Sequence, residues 1–211
     1  MLNVEACDQD EIELLENSYR NIRQQDALTI VQDEAEQKKI SDQVIRTIDV
    51  PAKALFSIKN LFRLSIPGKR FYIAQCMVDY GMQHASGSGS SDYHHKFHLQ
   101  IVGIAHLKAD LGKTLLRPET KIDKVVDWFN RRDIDFTYSE VFNDKYYLVS
   151  DNKDKVLWHF TEEFIDTIGK YDGVHLVIVN REMYIYFDQI LTEEQSAIVE
   201  DIFNNCPFVD G

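Results

Sequence analysis

RFYIAQCMVDYGMQHASGSGSSDYHHKFHLQIVGIAHL, residues 70–107, decides the fold. Its first part alternates: Tyr72, Ala74, Cys76, Val78, Tyr80 and Met82 fall on one side of an extended chain, with Gln75 and Asp79 among those on the other. Beyond the Ser/Gly run the alternation resumes, with Tyr93, Phe97, Leu99, Ile101, Ala105 and Leu107 on one side and His94, Lys96, His98 and Gln100 on the other. A period of two belongs to a β-strand, whose successive side chains leave the backbone on opposite faces. Two such runs joined by small turn residues predict an antiparallel hairpin. Its apolar sides align if Tyr80 lies near Phe97 and Val78 near Leu99, a register that buries a single face.

Toward the N-terminus the period changes. Residues 9–48 hold no Gly or Pro, and Ile12, Leu15, Tyr19 and Ile22, then Ile40, Val44, Ile45 and Ile48, recur at helical spacing. The heptad breaks around Asp26 and Glu34, which favours packing onto a domain over an oligomerising coiled coil. Pro51 biases Val50 away from helical geometry, so the chain divides into an acidic helical segment, residues 1–50, and an α+β domain, residues 51–211.

Toward the C-terminus, Pro118 suits the first turn of a helix carrying Ile122, Val125, Val126 and Phe129. DIDF (133–136) and KYYLVS (145–150) read as strands, and DKVLWHF (154–160) and TEEFIDTIGKY (161–171) as helices, Thr161 capping the second and Gly169 lying near its end. VHLVIV and EMYIYF form a second hairpin about Asn180-Arg181, and Thr192 with Gln195 makes a capping box for a terminal helix. The expected class is α+β: an antiparallel sheet of hairpins with packed helices.

Composition narrows the partners. The 211 residues are 44% hydrophobic, enough to bury a core, and 35 acidic against 23 basic residues give a net charge of −12. That charge opposes a nucleic-acid backbone or an anionic membrane surface. Cys7, Cys76 and Cys206 are too few and too scattered for a disulfide framework or a paired metal motif, which points to a reducing compartment. The acidic N-terminus lacks the basic flank and apolar run of a signal peptide, and no window approaches the ~18 apolar residues of a membrane span. A cytoplasmic protein without direct membrane insertion is expected.

VDY (78–80), the Ser/Gly turn, LLRPE (115–119), DIDF, EVFNDKYYLVSDNKDKVLWHF (140–160) and REMYIYF (181–187) follow one another in an order that resembles an uncharacterised bacterial domain family often found behind transmembrane helices. The likeness runs from about residue 55 to 205 and rests on short, mainly structural motifs: a DY, an LRPE-like and a DIxF-like element. It implies an α+β domain with a membrane-associated setting, and no reaction or catalytic residue. The chain departs from it in having polar helices where spans would stand, so a membrane role would need a partner.

Five histidines, His84, His94, His95, His98 and His106, cluster on the hairpin, and neutral imidazole is a common metal ligand. On one strand His94 and His98 would be about 13 Å apart at ~3.3 Å per residue, too far for one ion with ~2.1 Å bonds. A metal site would need His84 or Asp79 from the other strand; otherwise His94, Lys96 and His98 form a polar contact face. In the aligned register Asp79 and His98 stand nearly opposite, half of a general-base arrangement, but a cross-strand ion pair explains them as well. SGSGS lacks the Lys-Ser/Thr of a phosphate loop and precedes a strand, not a helix. Arg117 and Glu119 flank Pro118 as a helix-start corner, while Asp133 and Asp135, about 6–7 Å apart on a strand, would suit either two-carboxylate chemistry or a solvent edge. Trp128, Trp158, Tyr146 and Tyr147 read as core or core margin.

The leading expectation is therefore a protein-binding or regulatory module without enzymatic activity or cofactor. Two alternatives remain: a metal-dependent hydrolase using the histidines of 71–107, with Asp79 and His98 as candidate catalytic residues and His84, His94 and His98 as candidate ligands, and an acidic, immunity-like inhibitor of a basic partner.

Overall fold

In the computed structural model residues 2–5, 7–23, 28–48, 54–79, 82–85, 91–94, 97–119, 133–188 and 190–211 are described. The elements are α1 (Gln9–Arg23), β1 (Leu28–Ile30), α2 (Glu34–Thr47), β2 (Leu55–Ile66), β3 (Lys69–Asp79), β4 (Met82–Ala85), β5 (Ser91–His94), β6 (Phe97–His106), β7 (Lys113–Pro118), α3 (Glu140–Lys145), β8 (Tyr146–Ser150), α4 (Lys153–His159), α5 (Glu162–Gly169), β9 (Val174–Val179), β10 (Glu182–Phe187) and α6 (Gln195–Asn205). Eight strands form one antiparallel sheet in the order β1-β2-β3-β6-β10-β9-β7-β8, and β4 pairs with β5 in a separate ribbon. This is the expected α+β class, and both expected hairpins are present, β3 with β6 and β9 with β10.

The register of the first hairpin differs from expectation by one residue. Met77 lies opposite Leu99, Val78 opposite His98 and Asp79 opposite Phe97. The cause is that both faces of the sheet are covered. Phe71, Ile73 and Met77 enter one core with Leu15 and Ile22 of α1, Phe142 of α3, Val156 of α4, Phe164 of α5 and Phe203 of α6. Ala74 and Cys76 enter a second core with Val102 and Ile104 of β6, Tyr184 of β10, and Ile40 and Val44 of α2. A strand apolar on both faces does not reveal its register by alternation.

The N-terminal elements belong to this architecture: α1 lies on the first face, α2 on the second, and β1 adjoins β2 at the edge. A bulge between Ile58 and Asn60 turns Asn60 onto the first face opposite Gln75. There the Asn60 amide donates to Gln75 Oε1 (2.9 Å), and the Gln75 amide donates to the Leu15 carbonyl of α1 (2.9 Å). At Gly103 of β6, α6 sits directly on the backbone: a Cβ there would lie 2.4 Å from Val199 Cγ1.

Three expectations about the second half are corrected. Pro118 ends a strand instead of starting a helix, standing opposite Tyr146 two residues beyond the last rung that β7 shares with β9, where a missing N–H is tolerated; residues 122–129 lie outside those described. DIDF is not a strand: Asp133 Oδ1 accepts from Ile134 N and Leu148 N, both at 2.8 Å, fastening irregular backbone to β8. Only half of the capping box forms, with Thr192 N donating to Gln195 Oε1 (3.3 Å) while Glu194 occupies the cap without a side-chain bond. Thr161 does cap α5, accepting from Phe164 N.

Candidate functional site

The polar residues of the first hairpin are spread over four strands, β3, β4, β5 and β6. Val78 opposite His98 and Asp79 opposite Phe97 place Asp79 and His98 on different faces, so the register on which their coupling was expected is not the one formed. His94 stands on β5 opposite Met82, and His84 on β4 opposite Asp92, so His94 and His98 do not share a strand. Lys96 lies outside the described residues. Among the described residues no group of three or more His, Cys, Asp or Glu is arranged to hold a metal ion. The three cysteines are unbridged, and burial pushes the Cys206 thiol up to about 12.

On the second face, beside Thr47 at the end of α2, a cavity of about 840 Å³ lies over β7, β8, β9 and β10, walled by Leu115, Tyr147, Val149, Val177, Val179 and Tyr186 among others. Ligand sites of this size orient their guests with a few convergent polar groups. Here those groups are engaged elsewhere: Thr114 Oγ1 bonds Ser150 Oγ (2.8 Å), Thr47 Oγ1 donates to Gln43 O (2.8 Å), and Asp151 Oδ1 accepts from Lys113 N (2.9 Å). Beside it, His175 stacks on Tyr186 (4.8 Å between centroids), and its Nε2 lies 2.6 Å from Asp188 Oδ1 without hydrogen-bond alignment. The ring face is taken by Tyr186, so the pair acts as a cross-strand clasp.

A more exposed arrangement stands at the corner built by α3, α4 and α5. Asn143 holds the backbone of Phe136 at both ends, Oδ1 accepting from its N–H (3.0 Å) and Nδ2 donating to its carbonyl (2.8 Å). The Phe136 ring is thereby set among Tyr138 (5.4 Å), Phe142 (5.6 Å) and Phe160 (6.4 Å), and Phe160 in turn stacks on Phe208 (5.4 Å). Tyr138 is the outer end of this row. Its hydroxyl donates to the Phe160 carbonyl at the end of α4 (2.9 Å), and burial, with the charges of Glu162 and Asp166, pushes its ionisation above the usual tyrosine range.

In α4, Val156 is buried and Phe160 follows one turn later, which leaves Leu157 and Trp158 about 100° and 200° around the helix from the core. Trp158 is 83% exposed, Leu157 43%, and Val141 in the first turn of α3 61%. The expectation that Trp158 lies in the core or at its margin is thus corrected. The sequence signal that would have found it is the i, i+4 pair Val156 and Phe160, which uses up the inward stripe of so short a helix.

The helices of this corner also carry charge. Glu140, Glu162, Glu163 and Asp166 are exposed, and none forms a close ion pair among the described residues, though Glu163 lies in the field of Lys69. The lysines of α4 are turned away, Lys155 Nζ to the Asp110 carbonyl (2.8 Å) and Lys153 Nζ to that of Asp133 (3.5 Å). Three of the acids stand in first turns of helices, where they also complement the helix dipole.

Comparison with family models, with curated proteins and with solved structures finds no match. The resemblance noted from the motifs at 78–187 therefore contributes no residue role. No helix among the described residues is long and apolar enough to cross a membrane.

Proposed function

We propose that this chain is a non-enzymatic protein-binding module that docks its partner on the corner of α3, α4 and α5. The observation that carries the reading is Trp158, 83% exposed next to exposed Leu157 at the end of α4, to which Tyr138 is hydrogen-bonded. A tryptophan brings about 150–250 Å² of burial to an interface, and such aromatic anchors dominate binding energy when a partner covers them. The exposed carboxylates of α3 and α5 supply polar groups on the neighbouring helices. Their shared sign favours a basic partner, so the acidic-inhibitor alternative is a special case of the same surface.

The test uses the intact chain as immobilised bait beside its Trp158→Ala variant, followed by affinity measurement with the purified partner. Trp158→Ala should weaken binding by at least about 2 kcal/mol, the range of an interface anchor, with folding unchanged. A partner bound equally by both proteins would sink the proposal. So would a turnover that Asp79→Ala or His98→Ala abolishes without loss of structure.

A further inference from the structure

Beside the apolar anchors is a small polar cavity of about 410 Å³ lined by Thr137, Tyr138, Ser139, Glu140, Val141 and Asp166. Its walls are of two kinds. Tyr138 and Val141 supply exposed apolar surface, and Glu140 and Asp166 supply carboxylates that form no ion pair among the described residues. Asp166 is held in place: its Oδ1 accepts from Ser139 Oγ (2.9 Å), and among the described residues no hydrogen bond engages its Oδ2. Ser139 occupies the cap position of α3 yet makes no capping bond, its hydroxyl being directed to Asp166 instead.

We infer that this cavity seats a lysine or arginine side chain of the partner, its aliphatic stem along Tyr138 and Val141 and its cationic head between Glu140 and Asp166. Long basic side chains combine those two surfaces, lying on apolar groups while the charge reaches polar ones. A carboxylate whose rotamer is already fixed loses less freedom on pairing than a free one. Glu162 and Glu163 in the first turn of the adjoining helix add to the same field, which favours a cationic guest. The partner segment is accordingly a basic residue flanked by apolar ones, the latter meeting Leu157 and Trp158. This inference rests on the docking reading above, but it places the charge readout at different residues.

The probe is the peptide acetyl-Leu-Arg-Leu-Leu-Arg-Leu-amide and its counterpart with citrulline for arginine, which keeps shape and removes charge. Binding to the full chain is followed through backbone amide shifts of residues 137–141 and 166. The arginine peptide should shift these amides, and citrulline, Glu140→Gln or Asp166→Asn should each weaken it about fivefold, the upper range for an exposed ion pair. Glu13→Gln, which removes the same charge from an exposed position on α1, should leave affinity unchanged. Equal binding of both peptides, or equal weakening by Glu13→Gln and Glu140→Gln, overturns the seat. If both peptides bind equally and Trp158→Ala abolishes both, the seat fails and the docking surface stands. If Glu140→Gln weakens the arginine peptide while Trp158→Ala does not, the seat stands and the docking surface fails.

Discussion

The clasp between Asn60 and Gln75 gives a prediction in which two substitutions together should cost less than either alone. Gln75 is fully buried and Asn60 is 4% exposed. Asn60 Nδ2 donates to Gln75 Oε1 and to the Asn3 carbonyl (3.2 Å), Asn60 Oδ1 accepts from Asn3 N (2.7 Å), and Gln75 Nε2 donates to Leu15 O. Gln75→Leu removes two of these bonds and leaves one Asn60 proton buried without an acceptor, a loss of about 2–3 kcal/mol after the apolar gain of leucine. Asn60→Leu strands the buried Gln75 Oε1, about 2–3 kcal/mol. In the double variant no half-bonded amide remains under α1, since the Leu15 carbonyl keeps its helical partner and Asn3 sits at the margin where water reaches it. Its loss should be only about 1–2 kcal/mol, because replacing both members of a buried pair by apolar groups is nearly neutral. Urea unfolding at neutral pH of the four proteins measures the cycle, and amide exchange in α1 should accelerate in the single variants and recover in the double. Losses that add within about 0.5 kcal/mol would refute the clasp as a coupled unit.

Two further outcomes follow from the seating of α6. Gly103→Ala should destabilise by about 1–3 kcal/mol or more, since the new methyl meets Val199 Cγ1 at 2.4 Å and Phe203 Cε2 at 2.8 Å; thermal unfolding checks it, and an unchanged midpoint would mean that α6 does not rest on β6. Glu200 is 4% exposed with Oε1 unbonded, and burial, opposed by Asn204 and assisted by Asp201, raises its carboxyl above the usual range. A raised folded value means that the protonated form is favoured by folding, so its stabilisation is complete below the unfolded value of about 4.3 and is lost as pH rises through the folded one. Glu200→Gln should therefore gain on the wild type as pH increases from about 4, and a stability difference flat with pH in chemical denaturation would contradict this.

What was legible in the sequence tracks how many faces of each element are buried. α5 has one apolar stripe and a Thr161 cap, and its bounds follow from those features. The β9–β10 hairpin is bounded by Asn180, which adopts the left-handed φ of 59° that a tight turn needs. By contrast β3 is apolar on both sides, so either register looked acceptable until α2 and α1 are placed on opposite faces. β2, LFSIKNLFRLSI, hides its alternation behind the bulge at Ile58/Asn60, where the parity of inward residues changes. Pro118 misleads because proline suits a helix start and a strand end alike, and only the pairing with β8 decides. The histidines drew notice by number, yet their strands are fixed by hydrogen-bond register, which residue type does not encode.

The corner of α3 to α5 was illegible for a related reason: its aromatic residues are the same types that fill the core a few residues away. VLWHF holds Val156 and Phe160, both buried, and Trp158, which is not. Only the length of α4, seven residues with one inward stripe, separates them. Exposure of that kind invites self-association, and the acids on the helices of the corner oppose it. Two copies meeting face to face would bring Glu140, Glu162, Glu163 and Asp166 against their like, whereas a basic partner would meet them with opposite charge. The carboxylates thus discriminate between occupants of one apolar surface, repelling a second copy and attracting a cationic segment. Apolar side chains alone would accept either.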